Sequence, residues 1–207
     1  VDTSGTATEG TDYETIPDVT ISGTTGTFSI TPTDDAISDI NETIILSLTA
    51  TSTSSQLCET SLSSSTVTIV DNEAAPTITL TSSTSSIAEN AIQATLTATS
   101  SIISGSDITV SFDTSGTATE GTDYGTISDI TISAGSTTGT TPFLPTDDSM
   151  YETSTDETAT IAIGSVSGGS ATENGNQSVT ITIEENDSAP TVTLAASSTS
   201  IDENSDS

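Results

Sequence analysis

The sequence contains no lysine, arginine or histidine, while it contains 30 aspartate and glutamate residues, so its formal net charge at pH 7 is −30. The carboxylates therefore have no basic side chain with which to form salt bridges. They must stay hydrated, repel one another or bind cations from solution, and divalent metal ions are the strongest candidates. The same absence excludes nucleic acid and direct contact with an anionic membrane, because no side chain can neutralise a phosphate.

The missing residue types also argue against catalysis. The chain has no imidazole base, no lysine amine for Schiff-base chemistry and no guanidinium group, and its single cysteine, Cys58, has no histidine partner. One cysteine cannot form an internal disulfide either. No stretch approaches the ~20 apolar residues of a membrane span. We therefore expect a protein that is not an enzyme.

Aromatic residues are scarce at 3% of the chain, and tryptophan is absent. High charge with few aromatics is typical of disorder, but the aliphatic residues here follow a regular pattern. Threonine alternates with isoleucine, valine or leucine in segments such as 66–70, 77–80, 94–98 and 180–183. Period-two alternation of β-branched residues predicts half-buried β-strands, so we expect a folded all-β protein with small aliphatic cores.

An internal repeat organises the chain. The segment from Val1 to Tyr13, VDTSGTATEGTDY, recurs as FDTSGTATEGTDY from Phe112 to Tyr124. Later segments recur in the same order, including APTITL at 75–80 as APTVTL at 189–194, and SIAEN at 86–90 as SIDEN at 200–204. A period of about 110 residues suits a tandem array of small all-β domains. We predict a first module at 1–73 that lacks its opening strands, a complete second module at 74–187, and the opening strand of a further copy at 188–207.

The number and spacing of the strands expected in the second module predict a sandwich. Alternating runs fall at 77–80, 86–89, 93–98, 108–112, 127–132, 140–144, 157–163 and 178–183. This spacing is typical of an immunoglobulin-like antiparallel β-sandwich of about seven strands per module. The first module lacks the counterparts of residues 77–110, which would expose strand edges. We expect upstream sequence or a neighbouring copy of the protein to cover them, by strand complementation or end-to-end packing.

These motifs resemble the Calx-β family. The resemblance rests on the SIAEN strand, the GTATEGTDY corner, the Asp-Asp loop followed by glutamates, and a strand that closes in Asp-Asn-Glu. It covers the second module fully and the first module from its third strand onward. The resemblance implies a β-sandwich, and in the calcium-binding members of the family loop carboxylates gather at one end of the sandwich.

Carried onto this sequence, the resemblance predicts a Ca²⁺ site in each module. The positions in the second module are Glu89, Asp123, Asp147, Asp148, Glu152, Glu185 and Asp187. Those in the first module are Asp12, Asp34, Asp35, Asp39, Glu42, Asp71 and Glu73. Ca²⁺ takes six to eight oxygen ligands, so several carboxylates from separate loops suit it. Each closing triplet has asparagine in the middle where calcium-binding exchangers carry aspartate, which favours weaker, extracellular-range affinity. The bland alternative is that these acids only cap turns and solvate loops.

Three functions fit these observations. The favoured one is a structural module of an extracellular fibre, adhesin stalk or surface matrix, made rigid by calcium at the junctions between modules. The second is an adhesion module that binds a glycan or a protein through its loops. The third is a regulatory calcium sensor, which the absence of basic residues disfavours. Extreme acidity and reliance on abundant calcium favour a location outside the cell or at its surface.

Overall fold

A computed structural model describes residues 1–20, 22, 25–48, 64–151, 156–200 and 202–203. The described residues form β-strands, turns and irregular segments and contain no helix. Accordingly, no described segment has the helical length and hydropathy of a membrane span. The prediction of an all-β fold is confirmed. Cys58 and Glu152 lie outside the described residues.

The second module is a sandwich of two sheets. Its strands are β5 (Thr77–Ser82), β6 (Ser86–Ala88), β7 (Ala94–Ser100), β8 (Ile103–Ser104), β9 (Ile108–Gly116), β10 (Ile130–Ile132), β11 (Thr138–Phe143), β12 (Glu157–Ser167), β13 (Thr172–Glu173) and β14 (Ser178–Glu184). One sheet has the order β10-β9-β12-β14-β6, and the other has the order β11-β7-β5-β13. Their inner faces bury one continuous apolar core, whose residues all lie between Ile78 and Ile183. The second module therefore contains a complete core of its own.

Alternation of side chains explains this core. In β7 the residues Ala94, Leu96 and Ala98 are buried, while the threonines between them are partly exposed. Every run predicted in the second module overlaps a strand, which confirms the sandwich. The structure adds two-residue strands and two parallel edges, because β6 pairs with β14 and β13 pairs with β5 in parallel. The remaining pairs within the two sheets are antiparallel.

The repeated GTATEGTDY corner is a compact turn with a buried tyrosine. The backbone N–H of Gly121 donates to the carbonyl of Tyr124, and the N–H of Thr119 donates to Asp123 Oδ2 at 2.6 Å. The ring of Tyr124 is 1% exposed and stacks on Phe143 with 4.9 Å between ring centroids. The first module repeats the turn with Thr8, Asp12 and a buried Tyr13. The corner motif therefore encodes a capped turn and an aromatic core residue.

The first module contributes one sheet, in the order β1-β3-β4. Its strands are β1 (Asp2–Gly5), β3 (Glu42–Ser47) and β4 (Ser64–Ile69), and a short strand β2 (Ile37–Ser38) precedes β3. These strands correspond to β9, β12 and β14 of the second module. Among the described residues no strand pairs with the outer edge of β4, where the second module has β6.

The two modules meet at a short parallel bridge, which we call the joint. Ile37 of β2 pairs with Ile103 of β8, and Ser38 pairs with Ser104. The N–H of Gly105 also donates to the carbonyl of Ser38 at 3.1 Å. Both serines are buried, at 5% and 2% exposure. The joint therefore links the acidic loop of the first module to the edge of the second.

Residues 189–200 carry no assigned strand. Val192 and Leu194 are 95% and 101% exposed, whereas their counterparts Ile78 and Leu80 are buried. Among the described residues no strand pairs with 191–194. The assignment of this segment to a further copy remains a prediction.

Candidate metal centre

Sheet pairing brings distant carboxylates together at the end of the second module. Because β6 runs parallel to β14 with Ala88 opposite Glu184, the next residues in each strand, Glu89 and Glu185, emerge side by side. The N–H of Glu89 donates to the carbonyl of Glu184 at 3.1 Å, which fixes this register. Carboxylate oxygens of Glu89, Glu185 and Asp187 lie within 4.8 Å of one another.

Asp187 is the most poorly compensated member of this group. Its Oδ2 atom is buried and has no hydrogen-bond partner among the described residues. Desolvation and the negative charges of Glu185, Asp148 and Asp147 raise the pKa of Asp187 above its ordinary value. A buried carboxylate oxygen without a donor is costly unless a cation or proton satisfies it. This atom is the structural observation that most directly indicates a cation.

The Asp-Asp loop lies next to the same carboxylates. The side-chain amide of Asn186 donates to Asp147 Oδ1 at 2.8 Å, and the N–H of Met150 donates to Asp148 Oδ1 at 2.6 Å. Asn186 therefore orients an acid through its N–H₂ group, a role that the sequence did not reveal. We call Glu89, Asp147, Asp148, Glu185 and Asp187 the second acidic cluster.

Asp123 lies in the corner turn at the end of the GTATEGTDY motif. It is 9% exposed, and one of its carboxylate oxygens accepts the Thr119 N–H inside the corner turn. It does not belong to the group formed by Glu89, Glu185 and Asp187. Its backbone carbonyl accepts the N–H of Thr146, which holds the start of the Asp-Asp loop beside the corner. Asp123 thus supports the loop structurally.

The predicted residues of the first module all line one cleft of about 410 Å³. We call these residues the first acidic cluster: Asp12, Asp34, Asp35, Asp39, Glu42, Asp71 and Glu73. Apolar side chains of β4 and its surroundings form the rest of the wall, among them Val67 and Ile69. The cleft therefore combines an acidic rim with an aliphatic wall.

The first acidic cluster repeats the hydrogen bonds of the second. The side-chain amide of Asn72 donates to Asp34 Oδ1 at 3.1 Å, as Asn186 donates to Asp147. The N–H of Ile37 donates to Asp35 Oδ1 at 2.8 Å, as that of Met150 donates to Asp148. These paired contacts show that the two Asp-Asp loops fold alike.

Mutual repulsion marks the first acidic cluster. Desolvation, followed by the charges of Asp35, Asp71 and Asp12, raises the pKa of Asp39. Desolvation together with the charge of Asp12 and a hydrogen bond to it raises the pKa of Glu42. For Glu73, desolvation and a hydrogen bond to Asp71 raise the pKa, and a backbone hydrogen bond partly offsets them. The backbone N–H of Asp39 also donates to Asp71 Oδ2 at 3.2 Å, which holds two acidic loops together.

Both clusters fit a hard divalent cation. Oxygen is the donor atom that Ca²⁺ prefers, and each cluster offers several carboxylates from separate loops. A cation would satisfy the buried Asp187 Oδ2 and reverse the pKa shifts, since an opposite charge favours the ionised form. The chemistry that Ca²⁺ would supply is charge neutralisation and cross-linking of loops.

Comparison with known proteins gives a family and a set of similar solved structures. The family described as the Calx-beta domain matches residues 1–73 and 71–187. The crystal structure of the apo form of the Calx CBD1 domain is similar at 20% identity with a TM-score of 0.45, over 54% of this chain and 99% of that one. The crystal structure of CBD12 from CALX1.2 is similar at 20% identity with a TM-score of 0.42, over 48% of this chain and 40% of that one. No curated protein matches the sequence significantly.

Proposed function

Because the chain belongs to the Calx-beta domain family, we propose that it is a non-catalytic structural element of an extracellular fibre, adhesin stalk or surface matrix. In this proposal calcium ions bind the two acidic clusters and fix the angle between successive modules. The family supports a binding module of β-sandwich type, and the fibre role goes beyond it.

One observation carries the proposal: Asp39 belongs both to the first acidic cluster and to the joint. Within the cluster, desolvation and the negative charges of its neighbours Asp35, Asp71 and Asp12 raise the pKa of Asp39. Its side chain also lies against Gly105 of the second module, where an added Cβ atom would be 1.6 Å from Asp39 Oδ1. A cation in the cleft therefore acts on a residue that touches both modules.

Electrostatics supplies the mechanism. Without a cation, the carboxylates around Asp39 repel one another and push the loops that form the cleft apart. Neutralisation by Ca²⁺ removes that repulsion and holds the Asp-Asp loop, with β2, in the position that pairs with β8. The segment Ala74-Ala75-Pro76 between cluster and β5 is short and contains a proline, so it limits swinging of the modules. The pair would then behave as a rod.

Binding to the folded form alone also stabilises it. At a calcium concentration of 100 times Kd the gain is about 2.7 kcal/mol. Extracellular calcium-binding modules have Kd values of about 10⁻⁴–10⁻³ M, a range that suits clusters in which asparagine replaces an acid. A chain without basic residues and with a formal charge of −30 suits a surface bathed in cations.

The experiment compares stability and shape with calcium, with magnesium and with a chelator. We expect calcium to raise the melting temperature and to lengthen the particle in small-angle scattering, and magnesium to do less. Asp39→Asn with Asp71→Asn should abolish the change in shape. Asp147→Asn with Asp148→Asn should reduce the thermal response of the second module alone.

Asp129→Asn is the matched control, because Asp129 is exposed and lies in neither cluster. It should respond to calcium as the unmodified chain does. Unchanged stability and shape on chelation would leave both clusters as surface charge and refute the proposal.

A further inference from the structure

In the first module the Asp-Asp loop leads into β2, which pairs with the second module. The second module has the same loop, but among the described residues the segment that follows it makes no strand pair. In both loops an aspartate side chain accepts the N–H two residues later, from Ile37 in the first module and from Met150 in the second. The preceding aspartates, Asp34 and Asp147, accept from Asn72 and Asn186. Two independent contacts thus align Met150–Tyr151 with β2, which is Ile37–Ser38.

The two counterparts differ in what covers them. At the joint Ile37 is half-buried and Ser38 is 5% exposed. Met150 is 66% exposed and makes no described β-pair. A large apolar side chain of the acidic loop is therefore exposed at the position where its half-buried counterpart pairs with the edge of a neighbouring module.

We propose that Met150–Tyr151 is a docking strand that pairs in parallel with the Ile103–Gly105 edge of another copy of the module. The joint is then a contact that recurs between each module and the next one in an array. The joint identifies another copy of the module as the partner. There β2, which follows the same loop, pairs with Ile103 and Ser104, and the carbonyl of Ser38 accepts the Gly105 N–H.

Glycine at position 105 is part of the receiving edge. The carboxylate of Asp39 occupies the space that a side chain there would fill, since Cβ would lie 1.6 Å from Asp39 Oδ1. Any larger residue at 105 should block docking without disturbing the core, because Gly105 is exposed on the surface of the second module.

This geometry is heterologous: the docking strand and the receiving edge are different surfaces of one module. Contacts of this kind build open chains unless one surface is capped. In the 207-residue chain β2 caps the receiving edge of the second module, while the docking strand of that module is available. In the isolated second module, residues 74–187, both surfaces are available, and its complete core allows it to be tested alone.

The test measures the mass of the isolated second module by sedimentation velocity across a concentration series. High salt screens the charge repulsion between copies. We expect the average mass to rise with concentration beyond two modules. Met150→Asp and Gly105→Val should each return the module to a monomer, while Ile92→Asp should still associate. Ile92 is the matched control because it is 89% exposed and outside both surfaces.

A mixture of the two blocked variants gives the decisive result. The Gly105→Val module keeps its docking strand, and the Met150→Asp module keeps its receiving edge, so the mixture should form dimers and stop there. Melting curves identify any variant that fails to fold, and Gly105→Ala then replaces Gly105→Val. The proposal is overturned if the isolated module stays monomeric or if association survives both substitutions. It is also overturned if the mixture of the two variants stays monomeric.

Discussion

Carboxylate oxygens of Glu89 and Asp187 lie within 4.8 Å of one another, although they come from opposite ends of the second module's sequence. The parallel pairing of β6 with β14 creates this approach, and Glu89 is 6% exposed. Two like charges this close in a poorly hydrated place destabilise the fold unless a cation or proton joins them. The stability of the module should therefore depend on what occupies the space between these acids.

Replacing Asp187 with asparagine should affect stability in opposite directions with and without calcium. In chelator, Asp187→Asn removes one of the repelling charges and the buried, unpartnered oxygen anion, so the melting temperature should rise. In calcium, the variant loses a ligand and should gain less stability than the unmodified chain. Calorimetric melts of both proteins in both buffers check this, with Asp129→Asn as the control. A variant that melts lower in chelator would contradict the assignment.

Acidification should stabilise the calcium-free protein. The pKa values of Asp187 and Asp39 in the folded state are raised above the ordinary 3.8. Below the unfolded pKa these groups are protonated in both states and cause no repulsion. Their full destabilising effect is present above the folded pKa. The melting temperature in chelator should therefore rise as pH falls from neutral towards the ordinary carboxyl range.

With calcium present, the pH dependence should run the other way. Protons compete with the metal for the same oxygens, so acidification should release calcium and its stabilisation. Melting temperatures measured over a pH series in the two buffers should converge at the acidic end. Parallel curves would show that calcium does not bind the titrating groups.

Gly116 should be intolerant of substitution for a steric reason. Its φ is +128°, and a Cβ atom would lie 2.0 Å from the carbonyl oxygen of Thr158 on the neighbouring strand β12. Gly116→Ala should cost about 1–3 kcal/mol or more, since backbone strain and a clash with main chain add. Gly175→Ala is the matched control, because its φ is also positive but a Cβ would meet nothing within 4 Å. Denaturant melts compare the two, and equal losses would leave strain alone as the cause.

Sequence patterns revealed the strands better than they revealed the connections between them. Alternation of threonine with aliphatic residues located the runs that became β5 to β7, β9 to β12 and β14, because each buries one face. The joint was not predicted, because β2 and β8 have two residues each and are too short to show an alternation of apolar and polar residues. Their pairing depends on how two modules meet, which no local pattern encodes.

The candidate site was predicted in part. The acidic residues were identified through the resemblance to the Calx-β family, and those of the first cluster do line one cleft. Asp123 was predicted as a metal ligand, and this stays a prediction, since a carboxylate that caps a turn and one that binds a metal look alike in sequence. In the structure Asp123 accepts the N–H of Thr119, as Asp12 of the first acidic cluster accepts that of Thr8.

Substitutions at Asp123 should separate its two possible roles. Asp123→Asn keeps an oxygen that accepts the Thr119 N–H, so stability in chelator should change little. Asp123→Ala leaves that N–H without its charged acceptor and should cost about 1–3 kcal/mol. If Asp123 only supports the loop, calcium should stabilise Asp123→Asn as much as it stabilises the unmodified chain. A lost calcium response in Asp123→Asn would make this residue a ligand.

The most direct test is a crystal structure of the chain grown in calcium, with anomalous scattering recorded at a long wavelength. The account predicts anomalous peaks coordinated by Glu89, Glu185 and Asp187 in the second module. A further peak should lie in the cleft beside Asp39 and Asp71. The calcium concentration should be well above the extracellular range. If only water then lies between the carboxylates in both places, the central claim is contradicted.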